Sequence, residues 1–73
     1  MVKSISIEYC NDGNYYPQAA SLAEAIKKNL GVEAKLIKSG GGAFEVMADN
    51  RLIFSKKKEY RFPEHQEILG KIE

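Results

Sequence analysis

The feature that most constrains the fold is a strand–helix–strand pattern in the first half of the chain. Ile5, Ile7 and Tyr9 alternate with polar residues, which predicts a half-buried strand. Within residues 17–30, apolar side chains recur at intervals of three and four, a spacing typical of one face of an amphipathic helix. Residues 32–36 alternate again. Such a unit predicts two parallel strands that are joined by a right-handed crossover.

The second half of the chain predicts two more strands and a second helix. A glycine-rich break precedes two apolar segments, residues 44–48 and 52–54. Asp49 and Asn50 lie between them and predict a tight hairpin, so these strands should be antiparallel. Pro63 is expected to open the last helix. The predicted fold is an α/β two-layer sandwich of order β-α-β-β-β-α, with a four-stranded mixed sheet and two helices on one face.

Length and charge limit the class of protein. Residues 1–73 suffice for a single domain, and a net charge of +1 provides no strongly basic surface for nucleic acid. Cys10 is the only cysteine, which excludes an internal disulfide framework, and it forms no metal-ligand spacing with the one histidine. We see no signal-peptide pattern and no apolar run that would span a membrane. We therefore expect a cytoplasmic protein with no membrane partner.

Cys10 is the candidate reactive residue. It ends the first predicted strand, and the turn-forming residues 11–14 then lead into a helix. Unpaired N–H groups and the positive end of the dipole at a helix N-terminus favour a thiolate, which is the nucleophile in thiol chemistry. The alternative is a small residue that simply closes a strand, because free cysteines are often buried and unreactive.

Three stretches of the chain resemble one known family. They are Glu8-Tyr9-Cys10 before a helix, the turn and strand Gly41-Gly42-Ala43-Phe44-Glu45-Val46, and Leu52-Ile53-Phe54-Ser55-Lys56-Lys57 followed by Arg61-Phe62-Pro63. On these residues the chain resembles the selenoprotein W-like group of thioredoxin-like proteins, also called the Rdx family, over nearly its whole length. The resemblance implies a thioredoxin-like sandwich and redox chemistry at a Cys-x-x-Cys or Cys-x-x-selenocysteine motif.

The segment that matches this motif is Cys10-Asn11-Asp12-Gly13, so Gly13 stands at the position of the second redox residue. In a dithiol pair the second thiol resolves the mixed disulfide formed by the first. The resemblance therefore implies a monothiol or degenerate redox protein, in which Cys10 would form a mixed disulfide with glutathione or a protein thiol. Glutathione would be a co-substrate, and no other cofactor is implied. Alternatively, Gly13 is a turn glycine selected for positive φ.

The residues around Cys10 are candidate binding residues. In thioredoxin-like folds the loop before the third strand lies beside the redox motif, so the resemblance implies that Gly41 and Gly42 offer backbone groups to glutathione or an extended peptide. We expect Asn11, Asp12 and Tyr15 to contribute to the same surface. A different class of function would use the same residues, namely a non-enzymatic protein-interaction module in which the thiol is incidental.

Two other features have ordinary explanations. Residues 56–62 mix lysines with aromatic residues, a composition that can bind RNA or single-stranded DNA by charge and stacking. Because the net charge is small, we favour a solvated connection with Tyr60 and Phe62 packed on the core, and we expect no nucleic-acid partner. His65 falls on the apolar side of the last predicted helix, and we interpret it as a boundary residue and not a catalytic base.

Overall fold

A computed structural model describes residues 3–72 of the chain. Its elements, in chain order, are β1 Ile5–Cys10, α1 Tyr15–Leu30, β2 Ala34–Ser39, β3 Phe44–Ala48, β4 Arg51–Ser55, α2 Lys56–Glu59 and α3 His65–Ile72. The strands form one mixed sheet in the spatial order β2-β1-β3-β4, which confirms the predicted fold class. The short helix α2 corrects the predicted number of helices from two to three.

β1 lies inside the sheet because it pairs on both sides. It runs parallel to β2, with Ile7 opposite Leu36, and antiparallel to β3, with Ile7 opposite Val46. The side chains of Ile7 and Val46 are fully buried. A parallel pair requires a long crossover connection, and α1 provides it. The strand that ends in Cys10 is therefore held in register by both of its neighbours.

α1 begins at Tyr15, two residues before the Pro17 start that the sequence predicted. Asn14 is its N-cap, and Pro17 lies in the first turn, where an N–H has no intrahelical partner to lose. The helix buries Ala19, Leu22 and Ile26. Gly31 ends the helix in the left-handed conformation, and its N–H donates to the Lys27 carbonyl at 2.9 Å.

A two-residue turn joins β3 to β4, as predicted. Asp49 and Asn50 have φ values of 51° and 70°, the left-handed pair that a tight hairpin requires. Asp49 also holds the start of β1, because its Oδ1 accepts the N–H groups of Ser4 and Lys3 at 2.9 and 3.0 Å. These two bonds lower the pKa of the Asp49 carboxyl. The turn thereby fixes the end of the sheet opposite Cys10.

One hydrophobic core lies between the sheet and the helices. The alternate apolar residues of β1 and β3 pack there against α1, and α3 adds Ile68 and Leu69. Because α1 and α3 also contact each other, both lie on the same face of the sheet, as predicted. Within the described residues, no helix combines the length and apolar character needed to cross a membrane.

The connection between β4 and α3 differs from the prediction. Lys56–Glu59 form one helical turn that buries none of its residues. Tyr60 ends this turn with a φ of 60° and is 87% exposed, so the expectation that it packs on the core was wrong. Phe62 does pack on the core. The left-handed turn at Tyr60 breaks the backbone periodicity, so the two aromatic residues do not share an environment.

Arg61 connects the segment before α3 to α3 through side-chain hydrogen bonds. Its two terminal nitrogens donate to the two carboxylate oxygens of Glu67, both at 2.8 Å. These hydrogen bonds lower the pKa of Glu67 to about 2. The Arg61 guanidinium also lies 5.4 Å from the centroid of the Phe54 ring. The pair therefore stabilises the junction between α3 and β4.

Candidate thiol site

Cys10 lies where three segments of the chain meet. It ends β1 opposite Ser39, the last residue of β2. Its backbone N–H donates to the carbonyl of Ala43 at 2.7 Å, which attaches the glycine loop before β3 to the end of β1. The fold therefore brings the predicted redox segment and the predicted glycine loop together, although they are thirty residues apart in the sequence.

The Cys10 thiol is buried. Only 4% of the residue is exposed, and its Sγ–H donates to Oδ2 of Asp12 at 3.8 Å. The N–H of Asn11 donates to the Ser39 carbonyl at 3.0 Å, which holds the start of the turn against β2. Asn11 and Asp12 are themselves exposed. The sulfur is therefore not open to an external disulfide in this conformation.

Asp12 is the side chain of the turn that contacts the Cys10 sulfur. Its carboxylate accepts the thiol hydrogen, an interaction that exists only while the thiol is protonated. A carboxylate beside a thiolate would also repel it. The N-cap of α1 is Asn14, so three residues separate Cys10 from the helix end that the sequence analysis expected to activate it.

Gly13 has the backbone conformation of a turn glycine. Its φ is +59°, and a Cβ built there would meet no heavy atom within 4 Å. Space is therefore available for a side chain, but an L-residue would be strained in this conformation. The turn alone is enough to account for glycine at this position, whether or not an ancestral thiol has been lost.

The glycine loop lies against the start of α1. Gly41 and Gly42 have φ values of 66° and 71°, and a Cβ at Gly42 would lie 3.4 Å from Oη of Tyr15. Only glycine keeps this loop unstrained and its backbone close to the tyrosine. Tyr15 therefore lies beside Gly42, and Gly41 is the adjacent residue of the same loop; that these residues bind a partner stays a prediction.

An aromatic cluster supports this side of the site. The ring of Tyr15 lies edge-on to Phe62, which lies edge-on to Phe44, and both centroid distances are 5.2 Å. Nζ of Lys56 lies 5.4 Å from the Tyr15 centroid and 5.5 Å from that of Phe62. Nζ of Lys57 lies 4.0 Å from the Cβ position of Gly41.

These two lysines were missed as site residues. They were expected to lie in a solvated connection, because the net charge of the chain is small. The available signal was the mixture of basic and aromatic residues between β4 and α3, which indicated a contact surface but not its neighbours. Their position beside the glycine loop follows from the turn that α2 makes.

Two carboxylates face each other on the helix-free side of the sheet. Glu8 of β1 lies directly opposite Glu45 of β3. Each accepts a serine hydroxyl, from Ser39 at 2.7 Å and from Ser55 at 2.6 Å. Between residues 3 and 72, no three or more His, Cys, Asp or Glu side chains gather as a set of metal ligands. The serine bonds explain how the fold accommodates the pair.

His65 belongs to the packing between helices. It is half-buried, and its Nε2 lies 3.2 Å from Oγ of Ser21, so it connects α3 to α1. This is the boundary position that the sequence analysis expected. The arrangement gives it a structural partner and no role at Cys10.

Sequence comparisons identify relatives across almost the whole chain. A family model described as the Rdx family matches residues 4–73. Migration and invasion enhancer 1 from Bos taurus and from Mus musculus are each 32% identical over 69 residues, which is 93% of this chain and 60% of each relative. The chain therefore spans less than two thirds of the length of these curated relatives.

Solved structures share the fold. The selenoprotein W-related protein from Vibrio cholerae superposes with a TM-score of 0.87 at 26% identity, over 94% of this chain and 90% of that one. A protein from Bordetella parapertussis superposes with a TM-score of 0.91 at 21% identity, over 99% of this chain and 95% of that one. At the second identity the likeness concerns the fold alone. Both agree with the thioredoxin-like sandwich predicted from the sequence.

Proposed function

The chain belongs to the Rdx family, and on this premise we propose that it is a thiol-redox protein that works through one thiol, Cys10. The family and its thioredoxin-like fold are consistent with a redox-type role. The observation that carries the proposal is the position of Cys10 at the end of β1, bonded through its N–H to Ala43 at 2.7 Å and so placed beside the glycine loop. Glutathione or a cysteine of a protein partner is the second thiol.

The proposed reaction is a pair of thiol–disulfide exchanges. Cys10 loses its proton, and the thiolate attacks one sulfur of glutathione disulfide. A Cys10–glutathione disulfide forms, and reduced glutathione leaves with the electron pair and takes up a proton. A second external thiolate then attacks the glutathione sulfur and returns Cys10 to its reduced form. Because Gly13 carries no thiol, both steps need an external partner, which suits a reducing compartment such as the cytosol.

Access to the sulfur is the controlled step of this mechanism. Asp12 lies on the Cys10 thiol, and Asn11 ties the turn to β2 through Ser39. Segments with exposed backbone and few buried contacts open locally without global unfolding. We therefore propose that the turn opens, the sulfur exchanges, and the turn closes over the reduced thiol.

A second candidate function is a non-enzymatic interaction module with an unreactive thiol. The observation that favours it is the contrast in exposure near the site, since Cys10 is 4% exposed while Tyr16 is 54% exposed. Exposed tyrosines are frequent anchors of protein interfaces. In this alternative the turn and the glycine loop bind a partner and Cys10 only packs.

The two candidates differ in one experiment. The reduced protein is incubated with glutathione disulfide under native conditions, and intact mass is followed over time. Monothiol chemistry predicts one glutathione adduct that added thiol removes, no adduct in Cys10→Ser, and faster adduct formation in Asp12→Asn. An adduct that forms only in denaturant would refute the redox proposal and leave the interaction module.

A further inference from the structure

A run of three lysines lies near the Cys10 turn, although the whole chain has a net charge of only +1. α2 places Lys56, Lys57 and Lys58 in succession and buries none of its residues. Nζ of Lys57 reaches within 4.0 Å of the Cβ position of Gly41. The positive charges therefore lie next to the loop that is bonded to Cys10, and the core does not depend on them.

The position of this charge is fixed. Nζ of Lys56 lies within 5.4 and 5.5 Å of the Tyr15 and Phe62 ring centroids, a cation–π arrangement that favours one placement of α2. Tyr15 in turn contacts the glycine loop, because its Oη lies 3.4 Å from the Cβ position of Gly42. Lys56, Lys57 and the loop thus form one continuous surface, which we call the α2–glycine surface and define as residues 41–42 and 56–57.

Four carboxylates lie near this surface. Glu59 lies 3.9 Å from the guanidinium of Arg61, and the other three accept uncharged donors: Asp12 accepts the Cys10 thiol hydrogen, and Glu8 and Glu45 accept the hydroxyls of Ser39 and Ser55. Among the ion pairs of residues 3–72, none includes a lysine of α2. The charge is therefore available to a negatively charged partner.

We propose that the α2–glycine surface docks an extended acidic peptide segment of a partner protein, and that this segment carries the cysteine that exchanges with Cys10. Charge complementarity favours acidic side chains opposite α2. Gly41 is exposed and carries no side chain, so the main chain of the loop can approach an extended backbone closely. The covalent step rests on the proposed function and is the same exchange, with the partner's cysteine in place of glutathione. The docking itself does not require the sulfur.

The first test compares exchange rates of matched peptides. Each peptide carries one cysteine activated as a disulfide with thionitrobenzoate, flanked by glutamates in one peptide and by glutamines in the other. Cys10 attacks the peptide sulfur, and thionitrobenzoate leaves and is measured by its absorbance. We expect the acidic peptide to react about tenfold faster at low ionic strength. A surface with charges of one sign raises the association rate of an oppositely charged ligand by at least this factor. The advantage should largely disappear at about 1 M salt, where screening is nearly complete.

Lysine variants show whether the surface is responsible. Lys57→Gln should reduce the acidic peptide's advantage, and the triple variant K56Q/K57Q/K58Q should abolish it. Lys28→Gln is the matched control, because Lys28 is an exposed lysine in the last turn of α1, about 20 Å of helix away from Tyr15. Equal rates for the two peptides, an advantage that survives the triple variant, or a glutathione–thionitrobenzoate disulfide reacting as fast as the acidic peptide would each overturn the proposal.

A second test separates docking from chemistry. In Cys10→Ser, backbone amide resonances are followed while serine versions of the same peptides are added. The acidic peptide should shift the amides of Gly41, Gly42 and Lys57 in a salt-dependent way, and the glutamine peptide should not. If these shifts occur but no exchange is seen in the first test, the redox proposal fails and the docking proposal stands. If exchange occurs without such shifts, the docking proposal fails and the redox proposal stands.

Discussion

Gly13 occupies the position of the second redox residue, and its conformation makes a quantitative prediction about what can replace it. Its φ of +59° lies in the left-handed region, while a Cβ there would meet no heavy atom within 4 Å. An L-alanine would therefore cause backbone strain without a clash. The left-handed conformation costs about 1–2 kcal/mol for an L-residue. Alanine also reduces the conformational freedom of the unfolded chain, which offsets about 0.4–1 kcal/mol of this strain. We therefore expect Gly13→Ala to destabilise the protein by about 1 kcal/mol.

Urea unfolding of the reduced protein measures this effect. With an m value of about 1 kcal/mol/M for a small domain, the midpoint of Gly13→Ala should fall by about 1 M. A chemically synthesised chain with D-alanine at Gly13 is the matched control, because it has the same volume and suits positive φ. Gly70→Ala is a second control, since Gly70 lies within α3 and its Cβ also meets nothing within 4 Å. Helix propensity predicts a higher midpoint there, by about 0.5–1 M.

The reasoning about Gly13 would be refuted by a Gly13→Ala midpoint equal to or above that of the wild type. It would also be refuted if L- and D-alanine had the same effect, because strain would then not be the cause. Gly13→Cys should be destabilised by about as much as Gly13→Ala. A restored Cys-x-x-Cys motif would therefore remain compatible with the fold.

Three further changes test the supporting structure. Phe62 is half-buried, so Phe62→Ala should lower the free energy of unfolding by about 2 kcal/mol in a urea titration, less than for a fully buried phenylalanine, and accelerate Cys10 alkylation. An unchanged midpoint would contradict the packing described. The Arg61–Glu67 pair contributes to the free energy of unfolding. This contribution is fully present above pH 4.5, the pKa of Glu67 in the unfolded chain, and is lost as the pH falls towards about 2, the pKa of Glu67 in the folded protein. The thermal unfolding midpoint of Glu67→Gln should thus depend less on pH in that range. A midpoint that falls with decreasing pH as steeply as that of the wild type would refute this. Glu45→Gln removes the repulsion between Glu45 and Glu8 and keeps an acceptor for the Ser55 hydroxyl. It should therefore raise the free energy of unfolding by a few tenths of a kcal/mol. A clear decrease in the free energy of unfolding would show that the charge is needed.

Local sequence patterns were sufficient to predict most of the fold. The alternation around Ile7, the apolar stripe of α1 and the Asp49–Asn50 turn are all determined by neighbouring residues, and each is found in the structure. α1 begins two residues before the predicted start at Pro17, since a proline is tolerated throughout the first helical turn. The meeting of Cys10 with the glycine loop was predicted through the family resemblance, and the parallel pairing of β1 with β2 provides its physical basis.

The remaining features depend on contacts between distant segments. The burial of Cys10 and the contact of its sulfur with Asp12 depend on how distant segments close around the end of β1, which no spacing in the sequence indicates. α2 has no apolar stripe, and its single turn is closed by the Tyr60 N–H, which donates to the Lys56 carbonyl at 2.6 Å. The approach of Lys57 to Gly41 depends on that turn. These tertiary contacts place the basic surface beside the thiol.

The most direct test of a reactive, gated Cys10 is the rate of its exchange with glutathione disulfide at urea concentrations below the unfolding transition. If the turn at Asn11 and Asp12 opens locally, little surface is exposed and the rate should remain nearly constant as urea increases. Asp12→Asn should raise this constant rate. A rate that instead rises in proportion to the unfolded fraction would show that Cys10 reacts only after global unfolding, and it would contradict the proposed redox function.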